Sequence, residues 1–560
     1  MSHTRGEEFI MMRAGQAVVE ALLAEDVEIV FGLVGHTING ILTEMYGRED
    51  IRFIDNRHEE GAAFMAYGYA QASGRPAVCM TTAGPAATNL ATGISLAFKG
   101  NAPVVAITGD VNSAHANREG FQSLNLVDLF KPITKLSVQV NQSSRIPEMV
   151  QQSFRTALSG RHGPVFLDIP QDLLDAQNLD VNILKPDTYR VVSSRISGDE
   201  AVIQHATSIL SKAKSPVLLV GGGVICSEAT QEALKLAEYL NMAIIASYGH
   251  HDAVPNSHSL YVGPLGMRGS PEAEEIVRHA DVILALGSRL NQLTTGWDNH
   301  AITPNSQIIQ VDIQPEEIGN NYPITAGIIG DAKVVASQIF EALKSHSLNV
   351  DHNHQWRTTI VSAAEKRHSR LTEEATLAGD PMMPQRVYSE LAKVLPQNCM
   401  VTIDAGVTAG LSYDRLKFEE PRTMFNYSQQ GGLGMGLAVS LGTKLGRPDR
   451  PAISIQGDGG FLYASQELNT AVRHKIPVVS IVLNNNCQGA EKLIQTRQFN
   501  NRYIGVDLIN PRFDKLAEVY GAKGFYVERP EDIVGIVGEA LTLDQPSVIE
   551  IPVAQDFLPV

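Results

Sequence analysis

The feature that most constrains the fold of this chain is a recurring order of a short β-branched apolar run, a glycine-rich turn and an amphipathic helix. This alternation is typical of parallel sheets that carry helices on their faces. It recurs in three blocks along the 560 residues, a length that suits three or four domains of about 150 residues. We therefore predict an α/β protein of three domains, each a mainly parallel sheet flanked by helices, at residues 1–185, 200–345 and 380–560. The middle domain is expected to be Rossmann-like, and the first and third share the pattern of duplicated halves.

Polar segments separate the three blocks. The stretch from about 185 to 200 has the composition of a linker. The stretch from Lys344 to about Gly379 is polar, contains histidines and is expected to bridge two domains.

The charge balance narrows the range of partners. The chain has 45 Lys and Arg residues against 61 Asp and Glu residues, a formal charge of −16. This excess of negative charge argues against nucleic acid or an anionic membrane as a partner. The first residues, MSHTRGEEFIMMRAG, lack the apolar core of a signal peptide, and the longest apolar runs are too short to span a bilayer. The four cysteines lie far apart without a CxxC pair, so we expect a cytoplasmic location.

The segment from Ala452 to Gly489 contains the strongest functional signal. A predicted strand ends at Gly457-Asp458-Gly459-Gly460, and a helix is expected to begin there. Glycines at such a turn let a phosphate approach the backbone, and the start of a helix favours negative charge. A second predicted strand ends at Asn484 and Asn485. Because neighbouring parallel strands end at the same edge of a sheet, Asp458 and Asn485 are expected to share one divalent cation.

The ligand chemistry favours Mg²⁺, with Ca²⁺ as the alternative, because carboxylate, amide and phosphate oxygens are hard ligands that zinc does not prefer. A tight turn followed by helix-capping asparagines is the purely structural interpretation. The presence of both motifs on consecutive strands favours a metal-bound diphosphate.

A GDG turn followed by paired asparagines at this separation resembles the fingerprint of thiamine-diphosphate enzymes. Nearly the whole chain is similar to the acetolactate synthase/pyruvate decarboxylase superfamily. The resemblance implies a pyrimidine-binding, a central and a diphosphate-binding domain, in that order, with thiamine diphosphate held through Mg²⁺. It implies that the metal ligands are Asp458, Asn485 and the backbone carbonyl of Cys487. It also implies a wider set of cofactor contacts: Gly406, Val407, Thr408, Gly431, Leu433, Gly457, Gly459, Gly460 and Asn89.

A second, independent segment, RHEEGAA, places Glu59 at the start of a predicted helix that follows a strand. Alone, Glu59 and Glu60 are two acids in a first helical turn, where the helix dipole favours them. The segment resembles the RHE(Q)GAA segment of acetolactate synthases, which implies that Glu59 contacts the aminopyrimidine ring and promotes formation of the reactive ylide. In this family the glutamate and the GDG turn of one site come from different subunits. The resemblance therefore implies a homodimer or a homotetramer.

Other segments bear on the reaction. TTAGPAATN resembles a loop of acetolactate synthases and places Asn89 near the cofactor. REGFQSLN resembles segments of acetolactate synthases and sulfoacetaldehyde acetyltransferases and places Gln122 near the reacting carbon. His36 in GLVGHTING and Glu491 in QGAEKLI are candidate acid–base groups. A loop histidine and a solvated helix residue are the respective alternatives.

Three positions depart from plain acetolactate synthases. Gln171 stands where those enzymes usually have a lysine, His36 stands where they have a glycine, and the segment after Asn485 lacks their tryptophan-containing pattern. The central block has glycine-rich turns at Gly221–Gly223 and in GMRGS, from Gly266 to Ser270. The following segment, GSRLNQLTT, departs from the flavin-binding pattern, so FAD is not predicted.

The leading hypothesis is a thiamine-diphosphate-dependent lyase or transferase that breaks or forms a C–C bond through the ylide and an enamine. It would resemble acetolactate synthase or sulfoacetaldehyde acetyltransferase and act on a small 2-oxo acid, ketone or sulfonated aldehyde. The alternatives are a simple 2-oxo acid decarboxylase and a diketone hydrolase similar to cyclohexane-1,2-dione hydrolase. A non-catalytic regulatory relative is disfavoured, because Glu59 and Asp458 are both present.

Overall fold

The computed structural model describes residues 10–116, 118–297, 300–346 and 350–555, and the side chains of residues 350–354 are not described. Residues 1–9, on which part of the signal-peptide prediction depends, lie outside the described residues, as do residues 556–560.

The first sheet is six-stranded and parallel, in the order β3-β2-β4-β5-β7-β6. Two further short strands, β1 and β8, pair with each other in antiparallel fashion. The strands are β1 (Ile10–Met12), β2 (Ile29–Gly32), β3 (Arg52–Asp55), β4 (Ala77–Thr81), β5 (Val104–Asp110), β6 (Leu136–Gln139), β7 (Val165–Pro170) and β8 (Leu179–Val181). The helices are α1 (Ala14–Ala24), α2 (Asn39–Met45), α3 (Glu59–Ser73), α4 (Pro85–Asn89), α5 (Ala91–Lys99), α6 (Leu126–Phe130), α7 (Ile146–Leu158) and α8 (Gln171–Leu174).

The central sheet is also parallel, in the order β11-β10-β9-β12-β13-β14, which is the Rossmann strand order. Its strands are β9 (Pro216–Val220), β10 (Ala243–Ala246), β11 (Tyr261–Pro264), β12 (Val282–Leu286), β13 (Gln307–Asp312) and β14 (Ala326–Ile329). Its helices are α9 (Glu200–Leu210), α10 (Gly222–Cys226), α11 (Thr230–Leu240), α12 (Pro271–Arg278), α13 (Gln292–Thr295) and α14 (Ala332–Leu343).

The segment that the sequence predicts as a bridge contains a long helix, α15 (Val350–Glu374). Its side chains contact both flanking regions. The Trp356 indole donates to the Pro216 carbonyl of β9 at 3.0 Å. Further along the helix, Arg367 and Arg370 form ion pairs with Asp414 at 2.7 and 2.6 Å. Because Asp414 belongs to the third region, α15 fixes the central sheet against it.

The third sheet is parallel in the order β16-β15-β17-β18-β20-β19. Its strands are β15 (Met400–Ile403), β16 (Met424–Asn426), β17 (Ala452–Gly457), β18 (Val479–Asn484), β19 (Lys523–Tyr526) and β20 (Ser547–Pro552). Its helices are α16 (Pro384–Val394), α17 (Val407–Gly410), α18 (Ser412–Arg415), α19 (Met435–Gly446), α20 (Asp458–Ala464), α21 (Glu467–Arg473), α22 (Gly489–Gln498), α23 (Phe513–Tyr520) and α24 (Ile533–Thr542). Short 3₁₀ turns occur at His36–Ile38, Ser113–His115, Lys131–Ile133, Ser143–Arg145, Pro186–Thr188, His251–Ala253, Pro315–Glu317 and Pro530–Asp532.

The cores follow from the strand sequences. Continuous apolar runs such as AVCMT of β4 and PVLLV of β9 are buried along their whole length, as expected for parallel strands covered on both faces. Alternate residues face different cores: Val78 packs with one cluster, whereas Cys79 packs with a second cluster that extends through α3 and α19 into the third sheet. These observations confirm the predicted α/β fold of three parallel sheets flanked by helices. Among the described residues, no helix is long and apolar enough to cross a bilayer.

Candidate cofactor and active site

The GDGG segment lies at the carboxyl edge of the third sheet. Strand β17 ends at Gly457 and helix α20 begins at Asp458, as the sequence predicts. In the parallel pairing of β17 with β18, Gly457 lies opposite Leu483. Asp458 and the asparagines that follow Leu483 therefore leave the sheet together, at the edge where ligands bind in such folds.

Asp458 is a buried carboxylate that has no basic partner in the described part of the chain. The residue is only 2% exposed, and its Oδ2 accepts a hydrogen bond from Nδ2 of Asn510 at 2.7 Å. Burial raises the pKa of Asp458, while hydrogen bonds from Asn510 and from backbone N–H groups act in the opposite direction. No ion pair between Asp458 and a basic side chain occurs among the described residues. An isolated buried charge is costly, so a bound cation would stabilise this arrangement.

The neighbouring oxygens suit a hard cation. Nδ2 of Asn510 also donates to Oδ1 of Asn484 at 3.0 Å and to Oδ1 of Asn486 at 3.3 Å. Side-chain oxygens of Asp458, Asn484 and Asn486 thus surround one amide group. A cation at this position would have these oxygens as ligands. Across the described residues, no cluster of three or more His, Cys, Asp or Glu side chains forms a metal site. The local donor set of one carboxylate and several amide oxygens fits Mg²⁺ or Ca²⁺.

Asn485 and Cys487 lie beside this cluster. Asn485 is 4% exposed, its Oδ1 accepts from the Cys487 N–H at 3.3 Å, and its backbone carbonyl accepts from Gln555 at 2.7 Å. Cys487 is buried and forms an isolated bridge with Asp507. The structure therefore brings all three predicted metal ligands to one edge of the sheet. Asn485 and Cys487 lie two residues apart along the chain, and Asp458 lies on the neighbouring turn.

The predicted cofactor contacts border an open space. Gly406 precedes α17 with φ 146°, Gly431 has φ 80°, and nothing lies within 4 Å of the position that a Cβ would take at either residue. Thr408 Oγ1 lies 3.5 Å from the corresponding position at Gly457, and Leu433 Cδ1 lies 3.5 Å from that at Gly460. The α17 turn, the 431–433 loop and the GDGG turn therefore form one rim. A Cβ at Gly406 or Gly431 would enter this open space.

Sequence reasoning missed Asp404, which supports this rim. It follows β15, is fully buried, and accepts hydrogen bonds from the N–H groups of Ala405, Gly434 and Gly436 at 2.6, 3.1 and 3.3 Å. Burial raises the pKa of Asp404 to about 7. The carboxyl group fastens the 431–436 loop to the sheet. An acid directly after the apolar run MVTI was the available signal.

Glu59 lies at the carboxyl edge of the first sheet. It is the first residue of α3, shortly after β3, and is only 7% exposed. Its Oε2 accepts a hydrogen bond from Nδ2 of Asn89, the last residue of α4, at 2.9 Å. The structure therefore joins two residues that the sequence selects from separate segments.

Gln122 and His36 lie on loops at the same edge. A Cβ at Gly84, which precedes α4, would lie 2.8 Å from the Gln122 Cβ. The Gln122 side-chain oxygen is buried and has no hydrogen-bond partner among the residues that the structure describes. The loop of His36 is fixed by its neighbour Thr37, whose Oγ1 lies 2.8 Å from Thr82 Oγ1 and donates to the Gly109 carbonyl at 2.8 Å. His36 itself is exposed. Its loop and Gln122 thus contact opposite ends of the Thr82–Gly84 segment.

Glu491 lies with the third sheet instead. It is the third residue of α22 and is exposed. Helix α22 begins at Gly489, where a Cβ would lie 3.4 Å from Asn485 Nδ2 and 3.9 Å from Val407 Cβ. Glu491 therefore extends from the rim of the predicted metal and diphosphate site.

Glu467 is a second residue that sequence reasoning missed. Its Oε1 accepts from the backbone N–H groups of Arg57 and His58 at 3.1 and 3.0 Å, and its Oε2 accepts from Asn56 at 3.2 Å. The residue is fully buried, and burial raises the pKa of its carboxyl group. Glu467 is the first residue of α21, so the third region directly holds the segment that leads into Glu59.

Within one chain the two clusters remain apart. A cavity beside Glu60 is lined by His58, Thr88, Asn89, Thr92, Tyr463 and Gln466, and by none of the predicted metal ligands. A different cavity is lined by Asn485 and Asn510 and by none of the first-sheet residues. No hydrogen bond or ion pair among residues within the described ranges joins Glu59 or Asn89 to Asp458 or Asn485.

The central sheet has a cavity of its own at its carboxyl edge. Gly221–Gly223, Gly287, Arg289 and Asp312 line it, together with Arg161 and His162 from the first region. The glycine-rich turn that the sequence indicates after β9 therefore borders a cavity.

Comparison with protein families matches all three regions. A model described as "Thiamine pyrophosphate enzyme, N-terminal TPP binding domain" matches residues 12–129, one for the central domain matches residues 203–339, and one for the "C-terminal TPP binding domain" matches residues 404–551. These matches confirm thiamine diphosphate as the predicted cofactor and confirm the predicted type of enzyme.

Similar proteins cover nearly the whole chain. A probable acetolactate synthase large subunit of Methanococcus aeolicus is 32% identical over 554 residues, which are 96% of this chain and 92% of the relative. A sulfoacetaldehyde acetyltransferase of Alcaligenes xylosoxydans xylosoxydans is 34% identical over 555 residues, 95% of this chain and 91% of the relative. An acetolactate synthase large subunit of Corynebacterium glutamicum is 32% identical, with 97% and 87% covered. This chain is therefore a thiamine-diphosphate-dependent enzyme and belongs to the family that includes acetolactate synthase large subunits and sulfoacetaldehyde acetyltransferases.

Proposed function

We propose that this enzyme is a lyase or transferase that breaks or forms a C–C bond next to the carbonyl group of a 2-oxo acid, a ketone or a sulfonated aldehyde. The observation that carries the proposal is the presence of two complementary clusters. One is the buried oxygen-rich cluster of Asp458 and Asn485, and the other is the buried pair of Glu59 and Asn89.

The residues of the third sheet would hold the cofactor. Asp458, Asn485 and the carbonyl of Cys487 would bind Mg²⁺ and, through it, the diphosphate, while the N–H groups at the start of α17 face its negative charge. When bound, thiamine diphosphate supplies a carbanion that adds to a carbonyl carbon and an electron sink for the bond that breaks. Leu433 would hold the cofactor bent, and Gly431 would accept a hydrogen bond from its pyrimidine.

The residues of the first sheet would handle protons. Asn89 fixes Oε2 of Glu59, which leaves Oε1 to share a proton with a bound base. The unpartnered amide oxygen of Gln122 provides an acceptor for a substrate or cofactor group. His36 and Glu491 are exposed, one at the first-sheet edge and the other at the third, so they would transfer protons to the substrate from opposite sides.

We further propose that two copies of the chain complete each site. The two clusters lie on different edges of one chain, and each lacks what the other provides. Pairing two copies so that the Glu59 edge of one meets the Asp458 edge of the other would build two equivalent sites. A cytoplasmic location remains part of this proposal and rests on the scattered cysteines of the sequence.

The test is a product screen. Purified protein with thiamine diphosphate and Mg²⁺ would be incubated with pyruvate, sulfoacetaldehyde or cyclohexane-1,2-dione, with and without phosphate or a second carbonyl compound as acceptor. Mass spectrometry of products should show an acceptor-dependent product for at least one donor, and the Glu59→Gln variant should form far less of it. Absence of turnover with every donor, despite bound cofactor, would contradict the proposal.

The same screen separates the two enzymatic alternatives. A simple decarboxylase would release an aldehyde from the 2-oxo acid at a rate that no acceptor changes. A diketone hydrolase would convert only the dione and would use water as its acceptor. Either result would replace the lyase or transferase assignment without affecting the cofactor site.

A further inference from the structure

The turn Gly266–Ser270 of the central region contains an arginine in a costly backbone conformation. Arg268 has φ 62°, in the left-handed region that residues with side chains seldom adopt. The turn is held closed, because Gly269 N–H donates to the Gly266 carbonyl and Ser270 N–H to the Pro264 carbonyl, both at 2.8 Å. Met267 N–H donates to the Leu293 carbonyl at 2.8 Å. The direction in which Arg268 leaves the turn is therefore fixed.

The side chain of Arg268 crosses from the central region to the predicted cofactor rim. Its Nη1 donates to the Val407 carbonyl at 3.3 Å, and its Cδ lies 2.5 Å from the position that a Cβ would take at Gly410. The arginine thus packs against α17, and only a residue without a side chain at Gly410 leaves room for it. The guanidinium contacts the turn through a carbonyl group, so it leaves the N–H groups at the start of α17 available for the predicted diphosphate.

Arg268 differs from the other arginines at this boundary. Arg367 pairs with Asp414 at 2.7 Å, Arg370 pairs with Glu272 at 2.9 Å, and Arg415 pairs with Glu374. Arg268 is half-buried, yet it forms no ion pair with a carboxylate among the residues that the structure describes. Burial lowers its pKa, and the groups that counteract this are tyrosine hydroxyls, including Tyr427 and Tyr248. Arg268 therefore has guanidinium N–H groups that can still donate, and a positive charge that no carboxylate among the described residues balances.

The surroundings identify the kind of anion that would fit. The Val407 side chain lies next to the start of α22, which bears Glu491, and Met267 beside the arginine is 42% exposed. In the proposed site, the substrate would approach the rim from the side that these residues border. The planar fork of a guanidinium matches a carboxylate or a sulfonate, each of which presents two or more acceptor oxygens.

We propose that Arg268 binds the acid group of the carbonyl substrate, a carboxylate or a sulfonate, and so selects acidic donors over neutral ones. This inference rests on the proposed function, because it names the class of substrate that the same site accepts. The phosphates of the cofactor have the same chemistry, and the experiment must separate them from the substrate.

The experiment measures binding without turnover. Protein loaded with thiamine diphosphate and Mg²⁺ would be titrated calorimetrically with 2-hydroxyethanesulfonate and with lactate, which have the acid group but no aldehyde or ketone group. Arg268→Gln should weaken binding of at least one of them by tenfold or more, and Arg268→Lys should weaken it less. Arg278→Gln, which removes an exposed arginine of the following helix α12, should leave it unchanged.

Kinetics and cofactor binding complete the test. In Arg268→Gln the KM for an acidic donor should rise about tenfold while the KM for a neutral diketone and the affinity for thiamine diphosphate stay within twofold. Equal binding of the acids by wild type and variant, or no binding by wild type, would overturn the proposal. A parallel loss of cofactor affinity would overturn it in favour of a phosphate contact. The titrations measure binding and do not require turnover of a donor. A failure of the proposed function can therefore be distinguished from a failure of this inference.

Discussion

The first and third sheets have the same strand order but provide different chemistry. Counted from the first strand of each six-stranded sheet, both run 2-1-3-4-6-5. After the third strand, the first sheet continues through Gly84 and Pro85 into α4, whereas the third sheet continues through Gly457 and Asp458 into α20. The equivalent turn thus leads in one case to an amide, Asn89, and in the other to a buried carboxylate.

The difference shows how little of a parallel sheet determines its function. Both sheets bring strand ends together at one edge, and this geometry is set by topology. The chemistry depends on one or two side chains per turn. In the third sheet the carboxylate and the asparagines after β18 favour a cation, whereas in the first sheet Asn89 serves to orient Glu59.

The largest effect is expected from a substitution in the third sheet, and it concerns cofactor affinity. Asp458→Ala removes the only carboxylate of the predicted metal site, so the Kd for thiamine diphosphate in the presence of Mg²⁺ should rise on the order of 100-fold. Titration calorimetry with and without a chelator would measure this. Asp449→Ala, an exposed acid near the start of β17, is the matched control and should bind normally. Unchanged Mg²⁺-dependent affinity in Asp458→Ala would remove Asp458 from the metal site.

The second prediction concerns the first sheet, where we expect catalysis rather than binding to suffer. Glu59→Gln keeps the size of the side chain but cannot exchange the proton, so kcat should fall about 10² to 10³-fold while cofactor affinity changes only a few-fold. Steady-state kinetics at saturating cofactor would measure it. Glu60→Gln, one residue away, should retain most of the activity. If the two variants lost equal activity, the distinction between the two acids would fail.

A third, smaller effect tests the contact between the two regions. Glu467→Gln weakens the hydrogen bonds that hold residues 56–58, so kcat per cofactor-loaded site should fall about tenfold and stability by about 1–3 kcal/mol. Cofactor affinity should not change, because Glu467 contacts no predicted cofactor ligand in the described part of the chain. Glu518→Gln, an exposed acid on α23, serves as the control. A variant that unfolds more easily but keeps the wild-type kcat per loaded site would show that Glu467 is only structural.

The last prediction concerns the pH dependence of stability in the first sheet. Burial, and then the neighbouring Asp110, raise the pKa of Asp168 from 3.8 to about 7. The folded state therefore keeps this proton to higher pH than the unfolded state does. The stability that Asp168 contributes is fully present below about pH 4 and is lost as the pH rises through about 7.

Asp168→Asn removes this titration. The decline of stability between pH 4 and 7 should become shallower by up to about 1.4 kcal/mol per pH unit. Urea unfolding midpoints at several pH values would measure the slope. Asp187→Asn, in the exposed segment after β8, is the control. An unchanged slope in Asp168→Asn would mean that the carboxyl group titrates normally in the folded protein.

The fold could be predicted from sequence where strands are fully buried, and less well at sheet edges. The apolar runs of β4, β5, β9, β12, β17 and β18 identify the inner strands. The sequence does not predict β6, β11, β14 and β19, which lie at the edges of their sheets and have short, mixed sequences, LSVQ, YVGP, AGII and KGFY. It also does not predict the short antiparallel pair of β1 and β8. A strand with one free edge needs less apolar sequence, and so gives a weaker signal.

The position of a candidate site residue in the fold could be predicted where chain topology alone determines it. Asp458 and Asn485 follow neighbouring strands, and Glu59 begins a helix after a strand, so local pattern was sufficient. Glu467 and Asn510 could not be found this way. Glu467 contacts a segment more than 400 residues earlier, and Asn510 reaches Asp458 from a loop 52 residues later. Nothing in a local sequence pattern indicates such contacts.

The packing of α3 against α19 has a consequence for how the enzyme tolerates change. A Cβ at Gly68 would collide with the Val439 carbonyl, and one at Gly442 with the Met65 carbonyl, so the two helices touch backbone to backbone. Helix α3 starts with Glu59, and α19 starts directly after the 431–434 loop. A single added methyl group in the middle of this contact would thus push apart two distant helix ends, and would misalign the predicted catalytic and cofactor-binding groups without touching them.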